Sequence, residues 1–346
     1  MKKRILALIM AVSMMAVLTG CGNGEVSNDN ITITKYKGIE VEEVAPEEVT
    51  DEAIESEILY TLQQTVAAEH GIKDRAAELG DVVIIDYEGK RDGVAFEGGT
   101  DTGYRLELGS NSFIDGFETG IVGHMPGETF DLNLTFPEEY PNNPDLAGQA
   151  VVFTVTFHAI APTELTDALA TVICGTETTV EEYKQQVKEY LQESYEANAE
   201  SKFSNAVITA LLENCTVKNY DEDKLEEVKA QIESQYSYVT AYGMEVDAFL
   251  EMYGTSVEKM AKEQLCWEYA VELIAEKEDL TISLEEYENK LAEIIEGSEY
   301  TVESYEEAYE EMYGEGSLKI AMLQEKVSEW LLENCKRVEA SEKSEE

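Results

Sequence analysis

The chain has 346 residues, of which 73 are Asp or Glu and 25 are Lys or Arg, so its formal net charge is −48 at pH 7. A charge this negative repels phosphate backbones and argues against nucleic acid as a partner. Hydrophobic residues still make up 43% of the chain. That content is enough for packed cores, and the length allows about two or three domains.

The first 21 residues have the pattern of an export signal. Basic residues at positions 2–4 precede a largely apolar run over residues 5–17, which is short for a transmembrane helix. The block LTGC at residues 18–21 resembles the lipobox of bacterial lipoproteins. We therefore expect a signal peptide over residues 1–20, a lipid on Cys21 and a location on the extracytoplasmic face of the cell membrane. An ordinary secretory signal with a cysteine at its cleavage site is the alternative.

Two segments lie between this signal and the first glycine-rich region. Small and polar residues in GNGEVSNDN predict a flexible tether over residues 21–32. Residues 33–78 predict a linker strand and a helix that packs with a C-terminal helical domain. Within residues 50–69, apolar side chains recur at helical spacing at Ile54, Ile58 and Leu62.

Residues 79–162 have the composition of a β-rich module. Twelve of the 23 glycines lie within residues 80–148, and all six prolines lie at or before residue 162. Apolar and polar residues alternate in four stretches, around residues 83–87, 104–108, 130–136 and 151–157. This alternation predicts one antiparallel sheet with one packed face, and IDGFETGIV at residues 114–122 predicts a short helix on that face.

The motifs of this module occur in a familiar order: DYEG (86–89), AFEGG (95–99), YRLELGSNSFIDGFETGIVG (104–123), PGETFDLNLTFPEEY (126–140) and LAGQAVVFTVTFHAI (146–160). The order resembles FKBP-type peptidyl-prolyl isomerases, particularly the version inside bacterial trigger factor. The resemblance implies cis-trans isomerisation of X-Pro bonds without a cofactor or a metal. The residues that match the family pocket are Tyr87, Phe96, Glu97, Tyr104, Phe113, Ile114, Phe117, Tyr140, Leu146 and Phe153. The alternative is that the aromatic members are only core residues.

Residues 163–338 change to a helical period and contain no proline. Segments such as SNAVITALLENCTV (204–217) and VSEWLLENCKRVE (327–339) resemble the C-terminal chaperone domain of trigger factor. Residues 339–346 are predicted to be a disordered acidic tail. The predicted fold class is α+β, in which an FKBP-like antiparallel sheet with a short helix is inserted into an all-α trigger factor-like helical arm domain.

These resemblances imply unfolded or nascent exported polypeptides that contain X-Pro bonds as partners, and contact with the membrane only through the lipid. Trigger factor begins with a ribosome-docking domain, whereas this sequence begins with the signal and tether, so we expect no ribosome binding. Two alternatives to an isomerase and chaperone stay open. One is a non-catalytic holdase with a vestigial isomerase domain, and the other is a structural lipoprotein that binds one fixed partner.

Four cysteines follow Cys21, at positions 174, 215, 266 and 335. No two of them have CxxC spacing, which argues against a zinc site or thioredoxin-like chemistry. Export permits disulfides, but we favour small buried free thiols. The sequence leaves both interpretations open.

Overall fold

The computed structural model describes residues 25–339 except 142, 299, 314 and 315. The chain divides into two compact units. The sheet unit is Pro46–Asn198, and the terminal unit comprises the described residues before Pro46 and after Asn198.

The described residues form nine strands and ten α-helices. The strands are β1 (Val26–Ser27), β2 (Ile31–Ile33), β3 (Glu40–Glu42), β4 (Val82–Arg91), β5 (Val94–Glu107), β6 (Thr129–Thr135), β7 (Ala150–Ile160), β8 (Cys215–Val217) and β9 (Lys336–Val338). The helices are α1 (Asp51–Thr65), α2 (Phe117–Ile121), α3 (Asp167–Cys174), α4 (Val180–Glu213), α5 (Glu222–Gln235), α6 (Val246–Glu251), α7 (Val257–Glu278), α8 (Leu284–Ile295), α9 (Val302–Tyr313) and α10 (Ser317–Asn334). This content confirms the predicted α+β class.

The sheet unit is built around four antiparallel strands in the order β5-β4-β7-β6. One face of this sheet is buried, as the alternation predicts, and its members include Val83, Ile85, Leu106, Leu132, Val155 and Phe157. Helix α2 contacts β6 and buries Phe117 and Ile121 completely. It is shorter than the predicted segment because Gly116, with φ of 93°, adopts a left-handed conformation just before it.

The other face of the sheet is partly covered as well. Ile84 is only 3% exposed, and Arg105 lies opposite it on β5. The Arg105 guanidinium donates to the carbonyl oxygens of Gln63 at 2.7 Å and Val66 at 2.5 Å, at the end of α1. Burial lowers the pKa of Arg105. The end of α1 is therefore hydrogen-bonded to the second face of the sheet, which a period-two pattern predicts to be exposed to solvent.

Helix α1 packs against α3 and the first part of α4 through an apolar cluster of its own, which includes Ile58, Leu62, Ala170 and Val187. These partners come from the predicted C-terminal helical domain, but they lie in the same compact unit as the sheet. The boundaries between the two units therefore fall inside two predicted domains, 33–78 and 163–338. They do so because α1, α3 and the start of α4 share one core.

The terminal unit has its core around α7, which packs with α5 and α10. Two small sheets join distant parts of the chain: one has the order β1-β2-β8, and the other pairs β3 with β9 in parallel. Ile31 and Ile33 on β2 are fully buried. The predicted flexible tether over residues 21–32 is therefore wrong at its end, because Ile31 is fully buried and residues 31–32 pair with β8.

The predicted signal peptide over residues 1–20, Cys21 and residues 340–346 of the predicted tail lie outside the described residues. Within the part that is described, no helix combines the length and hydropathy needed to cross a membrane.

Candidate active site

The sheet unit contains an open cavity of about 730 Å³. Its walls are Tyr87, Phe96, Glu97, Gly98, Asn111, Ser112, Phe113, Ile114, Asp115, Phe136, Pro137, Tyr140, Asn143, Leu146 and Phe153. Eight of the ten predicted site residues are in this set. The other two, Tyr104 and Phe117, are outside this set but contact the ring of Tyr87.

Neighbouring strands and two loops bring these residues together. Tyr87 lies on β4, Phe96 on β5 and Phe153 on β7, and Gly89 of β4 pairs with Phe153. The loop between β5 and α2 contributes Phe113 and Ile114, and the segment between β6 and β7 contributes Tyr140 and Leu146.

The aromatic rings of the cavity hold one another in place. The ring of Tyr87 meets those of Tyr104 at 5.7 Å and Phe113 at 5.3 Å, both edge to face. Phe117 lies beneath them, stacked on Phe113 at 4.2 Å and edge-on to Phe153 at 5.1 Å. Such pairs stabilise beyond simple burial by about 0.5–1.5 kcal/mol each. The cavity wall is therefore formed before any ligand arrives.

Two glycines make room for the ring of Phe96. A Cβ at Gly89 would lie 2.6 Å from Phe96 and equally close to Phe153. A Cβ at Gly99 would also lie 2.6 Å from Phe96. These distances are far below van der Waals contact, so the ring packs directly on bare backbone. Any larger residue at either position would displace Phe96 from the cavity wall.

A buried carboxylate organises the loop that carries Phe113. Glu118 is 6% exposed, and it accepts the backbone N–H groups of Gly109 at 2.8 Å, Asn111 at 3.1 Å and Phe113 at 3.2 Å. Burial alone would raise the pKa of Glu118, but these N–H groups, with that of Ser112, hold it below its ordinary value. Glu118 is therefore ionised at neutral pH and fixes the loop over residues 109–113.

Polar groups occupy the cavity mouth. Glu97 and Asp115 are exposed, and the amides of Asn111 and Asn143 lie on the wall. Burial, with the nearby Asp101 and Tyr104, raises the pKa of Tyr87, so its phenol keeps an O–H to donate. Among the described residues, no group of three His, Cys, Asp or Glu side chains is placed to hold a metal ion. The arrangement suits an apolar side chain flanked by peptide groups.

Sequence reasoning missed three kinds of residue here. Phe136 lines the cavity and meets Phe96 at 5.8 Å, although the alternation placed it only as a strand residue. No sequence pattern pointed to a role for Glu118 beyond its position next to Phe117. Gly89 and Gly99 stood in the quoted motifs, and their close approach to Phe96 depends on how β4 and β5 pair.

Comparison with known proteins gives matches in both units. Residues 73–158 match the family described as FKBP-type peptidyl-prolyl cis-trans isomerase. Residues 179–333 match the family described as bacterial trigger factor protein C-terminus. The cavity thus lies in a segment of the first family.

Trigger factors of two bacteria are similar to this chain over most of its length. The trigger factor of Caldanaerobacter subterraneus subsp. tengcongensis is 32% identical over 324 residues, which cover 90% of this chain and 73% of that protein. The trigger factor of Carboxydothermus hydrogenoformans is 33% identical over 322 residues, covering 89% and 73%. A solved structure from work on promiscuous substrate recognition by the trigger factor chaperone gives a TM-score of 0.46 at 17% identity, covering 87% of this chain and 74% of that one.

The sheet and cavity define an FKBP-type domain, and the matched helical segment is a trigger factor C-terminal domain. The two trigger factors are 32% and 33% identical to this chain, which covers 73% of the length of each. The chain therefore belongs to the trigger factor family.

Proposed function

We propose that the chain is a peptidyl-prolyl cis-trans isomerase and chaperone for exported, unfolded proteins. The observation that carries the isomerase half is the cavity of about 730 Å³, whose aromatic wall is fixed by ring contacts and by the Glu118 loop. An exported chain meets no ribosome, so the proposal includes none among its partners.

The chemistry needs a shaped cleft and no nucleophile. Rotation about an X-Pro bond has a barrier of about 20 kcal/mol because amide resonance is broken on the way. A cleft that binds the twisted, less delocalised amide more tightly than the planar one lowers this barrier. Phe96, Phe113 and Phe153 would enclose the proline ring. The Tyr87 hydroxyl and the Asn111 amide would donate to neighbouring carbonyl oxygens.

A refolding assay limited by proline isomerisation tests this half. We expect the full chain to accelerate the slow phase and Phe113→Ala to remove most of that acceleration. Val152→Ala is the matched control, because Val152 precedes Phe153 on β7 but is not among the residues that line the cavity. A slow phase equal to the uncatalysed one, and unchanged by Phe113→Ala, would refute catalysis.

A second candidate, a holdase without catalysis, is favoured by a cluster of rings in the terminal unit. The rings of Tyr236, Tyr238, Phe249 and Tyr253 lie 5.2–6.4 Å apart, and two of them are exposed. We call these four residues and Met252 the aromatic cluster. Exposed Tyr and Met side chains suit contact with many sequences. Suppressed aggregation of an unfolded client, with no effect on its proline-limited phase, would select this candidate.

We also propose that Cys21 is lipidated and anchors the protein on the extracytoplasmic face of the membrane. The support is the order of basic, apolar and LTGC segments over residues 2–21. Cells expressing the chain should incorporate a labelled fatty acid into it, and Cys21→Ser should abolish the label and release the protein from membranes. A Cys21→Ser chain that still carries the label would refute the assignment.

A further inference from the structure

Strand β5 carries two neighbouring residues whose side chains lie on opposite faces of the sheet. On the cavity side, the ring of Tyr104 meets those of Tyr87 at 5.7 Å and Phe113 at 5.5 Å. Arg105 follows it along the strand, and successive side chains of a strand alternate between faces. Its guanidinium donates to carbonyl oxygens at the end of α1. Two consecutive residues of β5 thus contact the rings of the cavity and a helix on the second face.

Arg105 supplies what the end of α1 lacks. The C-terminal end of a helix has unpaired carbonyl groups and a partial negative charge, and α1 has no basic residue in its last turn. The guanidinium of Arg105 donates to Gln63 at 2.7 Å and to Val66 at 2.5 Å. In the described part of the chain, no carboxylate forms an ion pair with Arg105. The helix end is therefore the partner of this charge.

The acceptors of Arg105 are themselves held by a packed core. Leu62 is fully buried and Val66 is 2% exposed. Both pack in the apolar cluster of α1, α3 and the start of α4, which also contains Ala170 and Val187. We call this set of helices the helical cluster. Because close-packed interiors deform little, the end of α1 keeps its position only as long as the helical cluster stays packed.

The backbone of β5 is weakly restrained where Tyr104 and Arg105 lie. β5 is an edge strand in the order β5-β4-β7-β6. Between the pairs Ile85–Tyr104 and Tyr87–Asp101 the register shifts, because β5 advances by three residues where β4 advances by two. Such a bulge interrupts the ladder hydrogen bonds locally. The position of β5 at this point therefore depends on contacts other than the ladder.

We propose that Arg105 is a positioning residue for the isomerase and couples the helical cluster to the cavity. It holds β5 against α1, and β5 in turn holds the Tyr104 ring that supports Tyr87 and Phe113. This inference rests on the proposed isomerase function. The wall discriminates between the twisted and the planar amide by its shape, so a displaced wall loses transition-state binding above all. The loss should therefore fall on kcat rather than on KM.

The first test compares arginine variants of the full chain, each measured where it is folded, with a short proline peptide as substrate. Arg105→Met keeps an apolar stem and removes the donors and the charge. We expect kcat to fall about 3- to 30-fold and KM to stay within about twofold. Arg105→Lys keeps the charge and should restore part of the rate. Arg337→Met, the same change at an arginine of the terminal unit that donates to Glu200, should leave kcat unchanged.

The second test measures the coupling itself. Leu62→Ala loosens the helical cluster and replaces no residue of the cavity wall. We expect it to lower kcat in the wild-type background and to add no further loss in the Arg105→Met background, because the connection is already broken there. Leu211→Ala truncates another fully buried leucine, in the core of the terminal unit, and should leave kcat unchanged.

Two results would overturn the inference: a folded Arg105→Met chain with wild-type kcat, or losses from Arg105→Met and Leu62→Ala that simply add. A wild-type chain that does not catalyse would refute the isomerase proposal instead. Hydrogen exchange of residues 103–107 measures the coupling in either case. Both single variants should exchange faster than wild type there, and the double variant no faster than Arg105→Met. Wild-type exchange in Arg105→Met would overturn the inference whether or not the chain is an enzyme.

Discussion

The aromatic rings of the cavity and those of the aromatic cluster meet at similar distances, but they differ in exposure. Cavity rings lie 4.2–6.1 Å apart, and Phe117 beneath them is fully buried. Rings of the aromatic cluster lie 5.2–6.4 Å apart, yet Tyr253 is 71% exposed and Tyr238 is 56% exposed. The same residue types therefore form a fixed wall in the sheet unit and an open surface in the terminal unit.

This difference teaches what each region can recognise. A wall fixed from behind by Phe117 and from the side by Glu118 has one shape, which favours one small group in one geometry. Exposed side chains before and after the short helix α6 keep rotamer freedom and can adapt to many partners. We expect substitutions in the first region to change stability and geometry, and substitutions in the second to change contact area alone.

The largest expected effect comes from removing the ring beneath the cavity. Phe117→Ala deletes a fully buried ring that contacts Tyr87, Phe113 and Phe153, and such truncations cost about 3–5 kcal/mol. Denaturant unfolding should show this loss in the sheet unit. Tyr253→Ala in the aromatic cluster should change the free energy of unfolding by less than about 0.5 kcal/mol. Equal losses for the two variants would contradict the contrast between the regions.

Filling the space under Phe96 should damage catalysis although no residue that lines the cavity is replaced. Gly89→Ala adds one methyl group 2.6 Å from Phe96 and Phe153, so both rings must move. A displacement of this size can lower a rate on the order of 10²-fold. The readout is the proline-limited refolding rate, with Val94→Ala, exposed in the same hairpin, as control. Wild-type acceleration by a folded Gly89→Ala chain would show that the wall tolerates movement.

The ionisation of Glu118 should make the free energy of unfolding depend on pH, because its carboxylate fixes the loop over residues 109–113. Because its pKa in the fold lies below that in the unfolded chain, its hydrogen bonds stabilise the protein above the unfolded value, about 4.3. This contribution is lost as the pH falls through the folded value. Glu118→Gln should cost about 1–3 kcal/mol at pH 7, and the difference from wild type should shrink below about pH 4. A difference that stays constant down to pH 3 would argue against an ionised Glu118.

The sequence was informative wherever structure repeats at short range or follows a family pattern. Alternation identified Val83 and Ile85 as members of the packed face, and both are fully buried. The family resemblance collected the residues of the cavity, including Tyr140 and Leu146 from a separate segment. Local sequence also marks the start of α8, where the Ser283 side chain and Glu286 form a reciprocal cap.

Features that depend on very short strands, or on contacts between distant parts of the chain, could not be predicted from the sequence in this way. The three-residue strands β3 and β9 pair across almost the whole chain, and neither is long enough to show a period. Ile31 looks like part of a polar tether until its strand, β2, pairs with β8. Glu118 is a glutamate in a short helix, and only the folded loop reveals that its carboxylate accepts three backbone N–H groups.

The smallest expected effect concerns the open surface. Met252 and Tyr253 are each 71% exposed, so replacing both by Ser leaves the core intact and removes apolar area available to a client. If the two side chains together contribute on the order of 1.4 kcal/mol on contact, suppression of client aggregation should weaken about tenfold. Isomerisation of a short proline peptide should be unchanged. Tyr190→Ser, which removes an exposed tyrosine outside the cluster, is the control. If it weakens suppression as much as the double variant, exposed rings act without regard to position, and the contrast between a fixed wall and an adaptable surface loses its second half.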